Sequence, residues 1–353
     1  LWAYQSIAHG ADAIVFFRWR TARFGTEQYW HGLLDHDASL SRRYQEIKRL
    51  GAEIKEVGNQ ILGSQVKSSV AMMLSYDSRF AFQIQPNNPR FSYPEHFHQI
   101  YRSFYQQDAS IDIVAPNADL SSYKLIIAPA LHLISDVTAE NLKRYVQAGG
   151  TLVVTQRTGV KDESNTVVNQ RLPGLLAEAC GVEVEEYDSL SRQMQNSLEF
   201  TIPELMDGAC VTVEVLCDIL KPTSAAVIAR YTQDYYAGKP AITLNQYGAG
   251  RAIYIGAVGD EHLYDLFAKW LLNTTGLQNT LATPPGVEVT QRIQGDKSLH
   301  FILNHNDHPQ TIHLESPYMN LLNGMQLTGD VQLGSLDVLI LISSNSKQKT
   351  LHS

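Results

Sequence analysis

The residues whose types and spacing could do chemistry lie close together, between positions 8 and 37. The short apolar run at residues 13–17 predicts a buried β-strand. Aromatic, basic and acidic side chains follow it directly: Arg18, Trp19, Arg20, Glu27, Tyr29, Trp30 and His31. A buried strand that ends in such residues is typical of the mouth of a β/α barrel, where the strand tips face the substrate. Because rings cover the C–H faces of a sugar and charged groups bind its hydroxyls, the pattern predicts a carbohydrate subsite.

The same stretch carries a family resemblance. Residues 10–32, GADAIVFFRWRTARFGTEQYWHG, resemble the last barrel strand and following loop of glycoside hydrolase family 42, the bacterial β-galactosidases. The likeness continues more loosely over most of the chain, and residues 1–8 fit the helix before that strand. It implies an enzyme that hydrolyses terminal β-D-galactosides with retention. It also implies that Phe17, Trp19 and Glu27 line the sugar subsite, with the glutamate accepting hydrogen bonds from galactose hydroxyls.

The sequence does not decide which residue after Glu27 contacts the sugar. Many relatives place a histidine three residues after this glutamate, whereas here Trp30 holds that place and His31 follows. We favour His31 as the partner of a sugar hydroxyl, with Trp30 as the alternative. Arg18 and Arg20 are expected to be structural and to pair with barrel carboxylates.

The catalytic carboxylates of the family are not matched by residues of this chain. The resemblance implies an acid/base glutamate and a nucleophile glutamate on earlier barrel strands, so we expect both upstream of residue 1. A retaining glycosidase needs two carboxyl groups about 5–5.5 Å apart, and Glu27 lacks a convincing second member. Asp12 is predicted at the opposite end of the barrel, and Asp35-His36-Asp37 is typical of a turn, with a metal site as the alternative. The isolated chain is therefore expected to be inactive. The rival hypothesis is a non-catalytic assembly module.

Composition sets the class of protein. A chain of 353 residues with 44% hydrophobic and 18% charged residues predicts two or three globular domains. The net charge of −8 argues against partners such as nucleic acid or an anionic membrane surface, and no apolar run is long enough to span a bilayer. The three cysteines contain no CxxC pair, which favours buried, inert thiols in a reducing compartment, the cytoplasm.

Hydrophobic periodicity divides the chain into three regions. Residues 1–65 are expected to be the end of a TIM barrel, closed by a helix over residues 41–57. Strands alternate with helices in residues 66–278, which predicts a doubly wound parallel sheet. The first strands are predicted at residues 70–74, 111–114, 125–128 and 151–155, and helices at residues 95–107 and 135–148. Residues 279–353 carry short strands and polar turns, typical of a small antiparallel β sandwich or barrel. The resemblance implies that the middle region is a glutamine-amidotransferase-like, flavodoxin-like domain that forms a homotrimer.

Other candidate sites have simpler interpretations. The strand at residues 151–155 runs into Gln156-Arg157-Thr158-Gly159, without the nucleophile that an active amidotransferase needs, so the middle domain is expected to be catalytically silent. The glycines at 248 and 250 predict a hairpin rather than a phosphate loop. Near the end of the chain, four histidines surround a polar turn, and zinc binding is the alternative: His300, His305, His308 and His313. We expect no cofactor and no bound metal.

Overall fold

The computed structural model describes residues 1–206, 208, 210–277 and 281–343. The helices found there are α1 (Trp2–Ala8), α2 (Arg42–Ile61), α3 (Tyr76–Ile84), α4 (Tyr93–Tyr105), α5 (Asp136–Gln147), α6 (Ala177–Cys180) and α7 (Glu261–Thr275). The strands are β1 (Gln65–Val66), β2 (Val70–Met73), β3 (Ile111–Val114), β4 (Leu125–Ala128), β5 (Thr151–Thr155), β6 (Val182–Ser189), β7 (Asn196–Phe200), β8 (Val211–Pro222), β9 (Ala226–Tyr231), β10 (Pro240–Tyr247), β11 (Gly250–Ile255), β12 (Ala257–Gly259), β13 (Val287–Gln294), β14 (Lys297–Asn304), β15 (Gln310–Asn320), β16 (Gln326–Leu333) and β17 (Val338–Ser343).

The chain forms two compact units. Residues 1–67 pack with residues 281–343 in the first unit, and residues 68–277 form the second unit. The regions that the sequence separates at the two ends of the chain therefore share one hydrophobic core. In the described residues, no helix is long and apolar enough to cross a membrane.

The second unit is built on one mixed sheet. Strands β3, β2, β4, β5 and β11 are parallel and lie in that order. Alternate residues of these strands face two separate cores, one shared with α4 and α7 and the other with α5 and α6. Ser135 caps α5 by accepting a hydrogen bond from the Thr138 backbone N–H at 3.1 Å. The parallel strands and the helices α4 and α5 lie where the sequence predicts them, whereas α3, between β2 and β3, is not predicted from the sequence.

The rest of this sheet corrects the sequence prediction. Beyond β11 the strands β10, β9, β7, β8 and β12 continue the sheet in antiparallel pairs, and β6 pairs with β8. The sheet is therefore not parallel throughout. The strands β6, β7 and β8 are not predicted from the sequence, although β6 begins with the alternating residues 182–185, Val-Glu-Val-Glu. The predicted hairpin between β10 and β11 is confirmed, with Tyr247 paired to Gly250.

A buried ion pair connects the parallel and antiparallel parts. The Arg157 backbone N–H and the Tyr254 hydroxyl each donate to Asp218 Oδ2 at 2.8 Å. The Arg157 guanidinium lies 3.8 Å from Oδ1 of the same carboxylate and 3.7 Å from the centroid of the Tyr187 ring. Burial raises the pKa of Asp218, although Arg157 and these hydrogen bonds act in the opposite direction. The carboxylate therefore ties the turn after β5 to β8 and β11.

The first unit contains a six-stranded antiparallel sheet in the order β1, β13, β14, β17, β15, β16. One face packs on α1 and α2, and the other face holds a second apolar cluster. Buried Arg292 on β13 anchors the start of the chain: its guanidinium donates to the carbonyls of Ile7 at 2.8 Å and Ser64 at 2.6 Å, and pairs with Asp12 at 3.0 Å. Asp12 thus has a structural partner within this unit.

The predicted strand at residues 13–17 is wrong. These residues form no strand, and Val15 and Phe17 are 91% and 70% exposed. A parallel strand needs hydrogen-bonded neighbours, and within the described part of the chain no strand lies beside this segment. An apolar run by itself therefore does not produce a strand here.

The contact between His9 and Glu288 gives the first unit a predicted pH dependence. The buried Glu288 carboxylate accepts hydrogen bonds from His9 and, at 2.8 Å, from His305. The hydrogen bond to Glu288 raises the pKa of His9, against the effect of burial. A raised histidine pKa adds stability that is complete below about pH 6.5 and is lost as the pH rises through the folded-state value. We expect His9→Gln to lower the free energy of unfolding in urea more at pH 5.5 than at pH 8.5, by about 1 kcal/mol or less.

Gln5→Ala is the matched control for this experiment. It removes a neutral donor to the same carboxylate, 3.3 Å away, so its deficit should not depend on pH in this range. Equal deficits of His9→Gln at both pH values would contradict the prediction.

Candidate functional site

The candidate site is a loop that folds back on itself, here called the aromatic loop (residues 18–34). The Leu34 backbone N–H donates to the Trp19 carbonyl at 2.8 Å, and the Thr21 N–H donates to the Leu34 carbonyl at 3.0 Å. The Leu33 N–H donates to the Arg18 carbonyl at 2.8 Å. The two ends of the loop therefore pair with each other and present the residues between them as one unit.

Thr21 and Gly32 make this pairing possible. The buried Thr21 hydroxyl donates to the Leu34 carbonyl at 2.9 Å and accepts from the Gly32 N–H at 2.8 Å. A Cβ at position 32 would lie 2.6 Å from the Arg20 carbonyl carbon and 2.7 Å from the Thr21 nitrogen. Only glycine fits without moving the backbone. Neither residue is predicted as part of the site from the sequence, although a glycine directly after Trp30 and His31 is a signal of a close backbone approach.

Glu27 lies next to Arg18, which also contacts the Phe17 ring. The Arg18 guanidinium pairs with Glu27 and lies 4.6 Å from the centroid of the Phe17 ring. The Glu27 side chain is 43% exposed, so its carboxylate can accept further hydrogen bonds. Arg18 was expected to pair with a barrel carboxylate, and the structure pairs it with the predicted sugar contact itself.

The other predicted contacts are exposed on the same loop. The Trp19 ring packs edge-on against Tyr44 of α2, with 6.2 Å between ring centroids, and is 62% exposed. Trp30 and His31 are both exposed, so the structure does not choose between them. The surface therefore combines aromatic rings with a guanidinium–carboxylate pair, which suits the C–H faces and hydroxyls of a sugar.

The side chains of residues 35–37 contact neighbouring parts of the chain, including the aromatic loop. Asp35 pairs with Arg43 of α2, whose Nε also donates to the Gly32 carbonyl at 3.1 Å. His36 Nε2 lies 2.7 Å from the Gln28 carbonyl, and Asp37 accepts from the Ser39 N–H at 2.9 Å. All three side chains therefore already have partners within the protein.

The histidines of the β domain do not converge. His305 pairs with Glu288, His308 with Asp307 at 2.9 Å and His313 with Asp330 at 2.6 Å. His300 packs against the Tyr318 ring. Among the residues that the structure describes, no group of three or more metal-ligating side chains could hold a metal ion.

The middle region has an arginine at the turn where related folds can carry a nucleophile. Arg157 follows β5 with a φ of 63°, a left-handed conformation that is found at strained functional turns. Its guanidinium is engaged with Asp218 and Tyr187. Burial raises the pKa of the Cys180 and Cys217 thiols to about 12, which makes them poor nucleophiles. Cys210, in contrast, is exposed, so the expectation of buried thiols holds for two of the three cysteines.

Three family models match the chain in succession. The β-galactosidase model of glycoside hydrolase family 42 matches residues 1–57, its β-galactosidase trimerisation domain matches residues 68–278, and its β-galactosidase C-terminal domain matches residues 286–342. The chain belongs to glycoside hydrolase family 42.

Individual relatives agree with this assignment. The β-galactosidase BgaP of a Planococcus species is 30% identical over 345 residues, which cover 97% of this chain and 51% of the relative. The β-galactosidase bgaB of Geobacillus kaustophilus is 33% identical over 354 residues, covering 97% of this chain and 50% of the relative. The crystal structure of the β-galactosidase from Bacillus circulans sp. alkalophilus superposes with a TM-score of 0.93 at 30% identity, over 97% of this chain and 51% of that one. The chain thus spans about half the length of the curated relatives it matches.

The backbone approach at Gly32 gives a testable prediction. Gly32→Ala forces its Cβ against the backbone of Arg20 and Thr21, so we expect a loss of about 1–3 kcal/mol in the free energy of unfolding and faster proteolysis within the aromatic loop. Urea unfolding and limited proteolysis measure the two effects.

Gly51→Ala is the control, because Gly51 lies in α2, where a Cβ would have no atom within 4 Å beyond the backbone of its own helix. This exposed helical change should stabilise the chain by up to about 1 kcal/mol. Equal stabilities of the two variants would show that the loop tolerates a side chain at position 32.

Proposed function

We propose that this chain works as part of a retaining β-galactosidase that hydrolyses terminal β-D-galactosides. The proposal is supported by the three successive family matches and by relatives that are themselves named β-galactosidases. Retention requires an acid/base and a nucleophile carboxylate on opposite sides of the scissile bond. We propose that residues outside this chain supply that glutamate pair and that the chain supplies contacts to the sugar.

The observation that carries this proposal is the pairing of Glu27 with Arg18 beside the Phe17 ring. In the proposed subsite the Glu27 carboxylate accepts hydrogen bonds from galactose hydroxyls, while Arg18 fixes its orientation. Phe17 and Trp19 form an aromatic wall against the apolar face of the sugar. His31 is proposed as a further hydroxyl partner, with Trp30 as the alternative.

We further propose the domain roles. Residues 1–65 form the end of a (β/α)8 barrel. Residues 66–278 form an amidotransferase-like domain, which the parallel half of its sheet supports. This domain assembles a homotrimer, a role supported by the trimerisation-domain match. Residues 279–353 form the small C-terminal β domain. The free cysteines are compatible with a cytoplasmic enzyme.

A chimaera tests the proposed subsite. When this chain replaces the matching residues of Geobacillus kaustophilus bgaB, we expect hydrolysis of p-nitrophenyl β-D-galactoside, whereas the purified chain alone gives none above background. In the chimaera, Glu27→Gln should lower kcat/KM by about 10- to 100-fold, since a charge-assisted hydrogen bond contributes about 1.5–3 kcal/mol.

The control variant is Glu46→Gln, on the exposed face of α2, where Glu46 pairs with Arg42 one helical turn away. Its kcat/KM should equal that of the unmodified chimaera. Equal effects of the two substitutions would contradict the role of Glu27, and turnover by the isolated chain would contradict a catalytic pair outside it.

The assembly proposal is tested separately. Size-exclusion chromatography with light scattering should give three times the chain mass of 39.4 kDa. A mass of one chain at every concentration would contradict the homotrimer. The alternative of a non-catalytic assembly module would be favoured by three results together. The chain would be a trimer, it would not bind galactose, and the chimaera that contains it would be inactive.

A further inference from the structure

The second unit contains an open cleft that the proposed hydrolysis does not use. It has a volume of about 1070 Å³ and lies where β4, β5 and β11 begin, at the amino edge of the parallel strands. The end of α5 and the end of α7 complete its walls. Ligands of doubly wound sheets usually bind at the opposite, carboxyl edge, so this cleft is not the usual site of the fold. The proposed galactose contacts belong to the other compact unit.

The cleft is positively charged within an acidic protein. Lys124, Arg144 and Arg251 line it, together with one carboxylate, Asp119. Asp119 is engaged locally, because it accepts a hydrogen bond from the Ser121 N–H at 3.0 Å. The Nε atom of Arg144 lies 4.0 Å from a carboxylate oxygen of Glu140. The chain as a whole carries a net charge of −8. The three cationic side chains therefore give this cleft a charge opposite in sign to that of the whole chain.

Arg251 is the residue that most needs an anionic partner. Its guanidinium is half-buried and donates to two hydroxyls, Thr151 Oγ1 at 3.2 Å and Thr274 Oγ1 at 2.9 Å. Across the described residues, no carboxylate lies within ion-pair distance of it. Burial lowers the pKa of Arg251, and the Trp270 ring, whose centroid lies 5.9 Å from the guanidinium carbon, is a neutral neighbour rather than an anionic one. Two of the five N–H donors are engaged by neutral oxygens, which leaves donors for a ligand.

The rest of the lining suits a hydroxylated ligand. The side-chain amides of Asn117, Asn141 and Gln246 border the cleft, as does the Tyr123 ring. A volume of this size exceeds that of a single inorganic ion and falls at the upper end of small-molecule sites. Arginine binds phosphate oxygens in a bidentate manner, and lysine adds a mobile charge.

We propose that this cleft binds a small phosphorylated compound, whose phosphate is held by Arg251, Arg144 and Lys124. The binding is independent of galactoside hydrolysis and makes the second unit a ligand-binding domain as well as an assembly domain. Inorganic phosphates and sugar phosphate esters share the recognised group. The amide lining favours the ester.

Isothermal titration of the purified chain tests this proposal at constant ionic strength set with NaCl. The probes are inorganic pyrophosphate and glucose 6-phosphate, with glucose as the neutral control. We expect saturable binding of a phosphorylated probe and none of glucose, and the two phosphorylated arms distinguish an inorganic ligand from an ester. In Arg251→Gln the affinity should fall by about 10-fold or more, as expected for loss of a charge-assisted hydrogen bond.

Lys143→Gln is the matched control. This substitution removes a positive charge from α5, the helix that carries Arg144, but Lys143 does not line the cleft. The affinity of the Lys143→Gln variant for the phosphorylated probe should therefore be unchanged. Arg144→Gln, at an exposed position, is the second test if Arg251→Gln does not fold by circular dichroism. The proposal is overturned if neither phosphorylated probe binds saturably, or if binding is as tight in the folded cleft variants as in Lys143→Gln.

Discussion

Backbone hydrogen bonding between the two ends of the aromatic loop is the constraint on which the candidate site depends. Buried backbone groups must find partners, and the ends of this loop find them in each other, through Trp19 and Leu34. Thr21 satisfies two further backbone groups, and Gly32 allows the close approach. As a result Glu27 lies beside Arg18, although no strand of the described residues lies next to this segment. Contacts of α2 with the loop, from Arg43 to the Gly32 carbonyl and from Tyr44 to the Trp19 ring, add to this support.

The second unit depends on a different device. Its sheet joins a parallel half, covered by helices on both faces, to an antiparallel half, and the buried Arg157–Asp218 pair lies where they meet. Burying two charges is costly unless they are paired and hydrogen-bonded. Here the carboxylate receives the Arg157 N–H and the Tyr254 hydroxyl. The same arginine occupies the strained turn after β5, so a position that serves catalysis in other α/β proteins serves packing in this one.

The sequence predicted many elements of the fold and few of the contacts. Helical periodicity located α2, α4 and α5 to within a few residues, and apolar runs located β2 to β5, because each of these elements buries a regular pattern. Strands β6 and β8 were missed although each begins with alternating apolar and polar residues, at 182–185 and 211–215. At residues 13–17 the apolar pattern was present but the strand was absent, since hydrogen bonding in a sheet requires a neighbour that local sequence cannot supply. Of the site, Phe17, Trp19 and Glu27 were chosen by residue type and family resemblance, whereas the roles of Arg18, Thr21 and Gly32 emerged only from the folded loop.

Residue types and their order, by themselves, determined the family, the acidic character of the chain and the position of the aromatic and charged segment, because these are properties of local chemistry. Only the tertiary structure decided that Glu27 pairs with Arg18, that the two ends of the chain share a core, and that Lys124, Arg144 and Arg251 border one cleft. Lys124 and Arg251 come together because β4 and β11 begin at a common edge of the sheet, and Arg144 joins them because α5 ends at that edge. Long-range pairing of this kind is set by packing and hydrogen bonding between elements, which no single segment of the sequence contains.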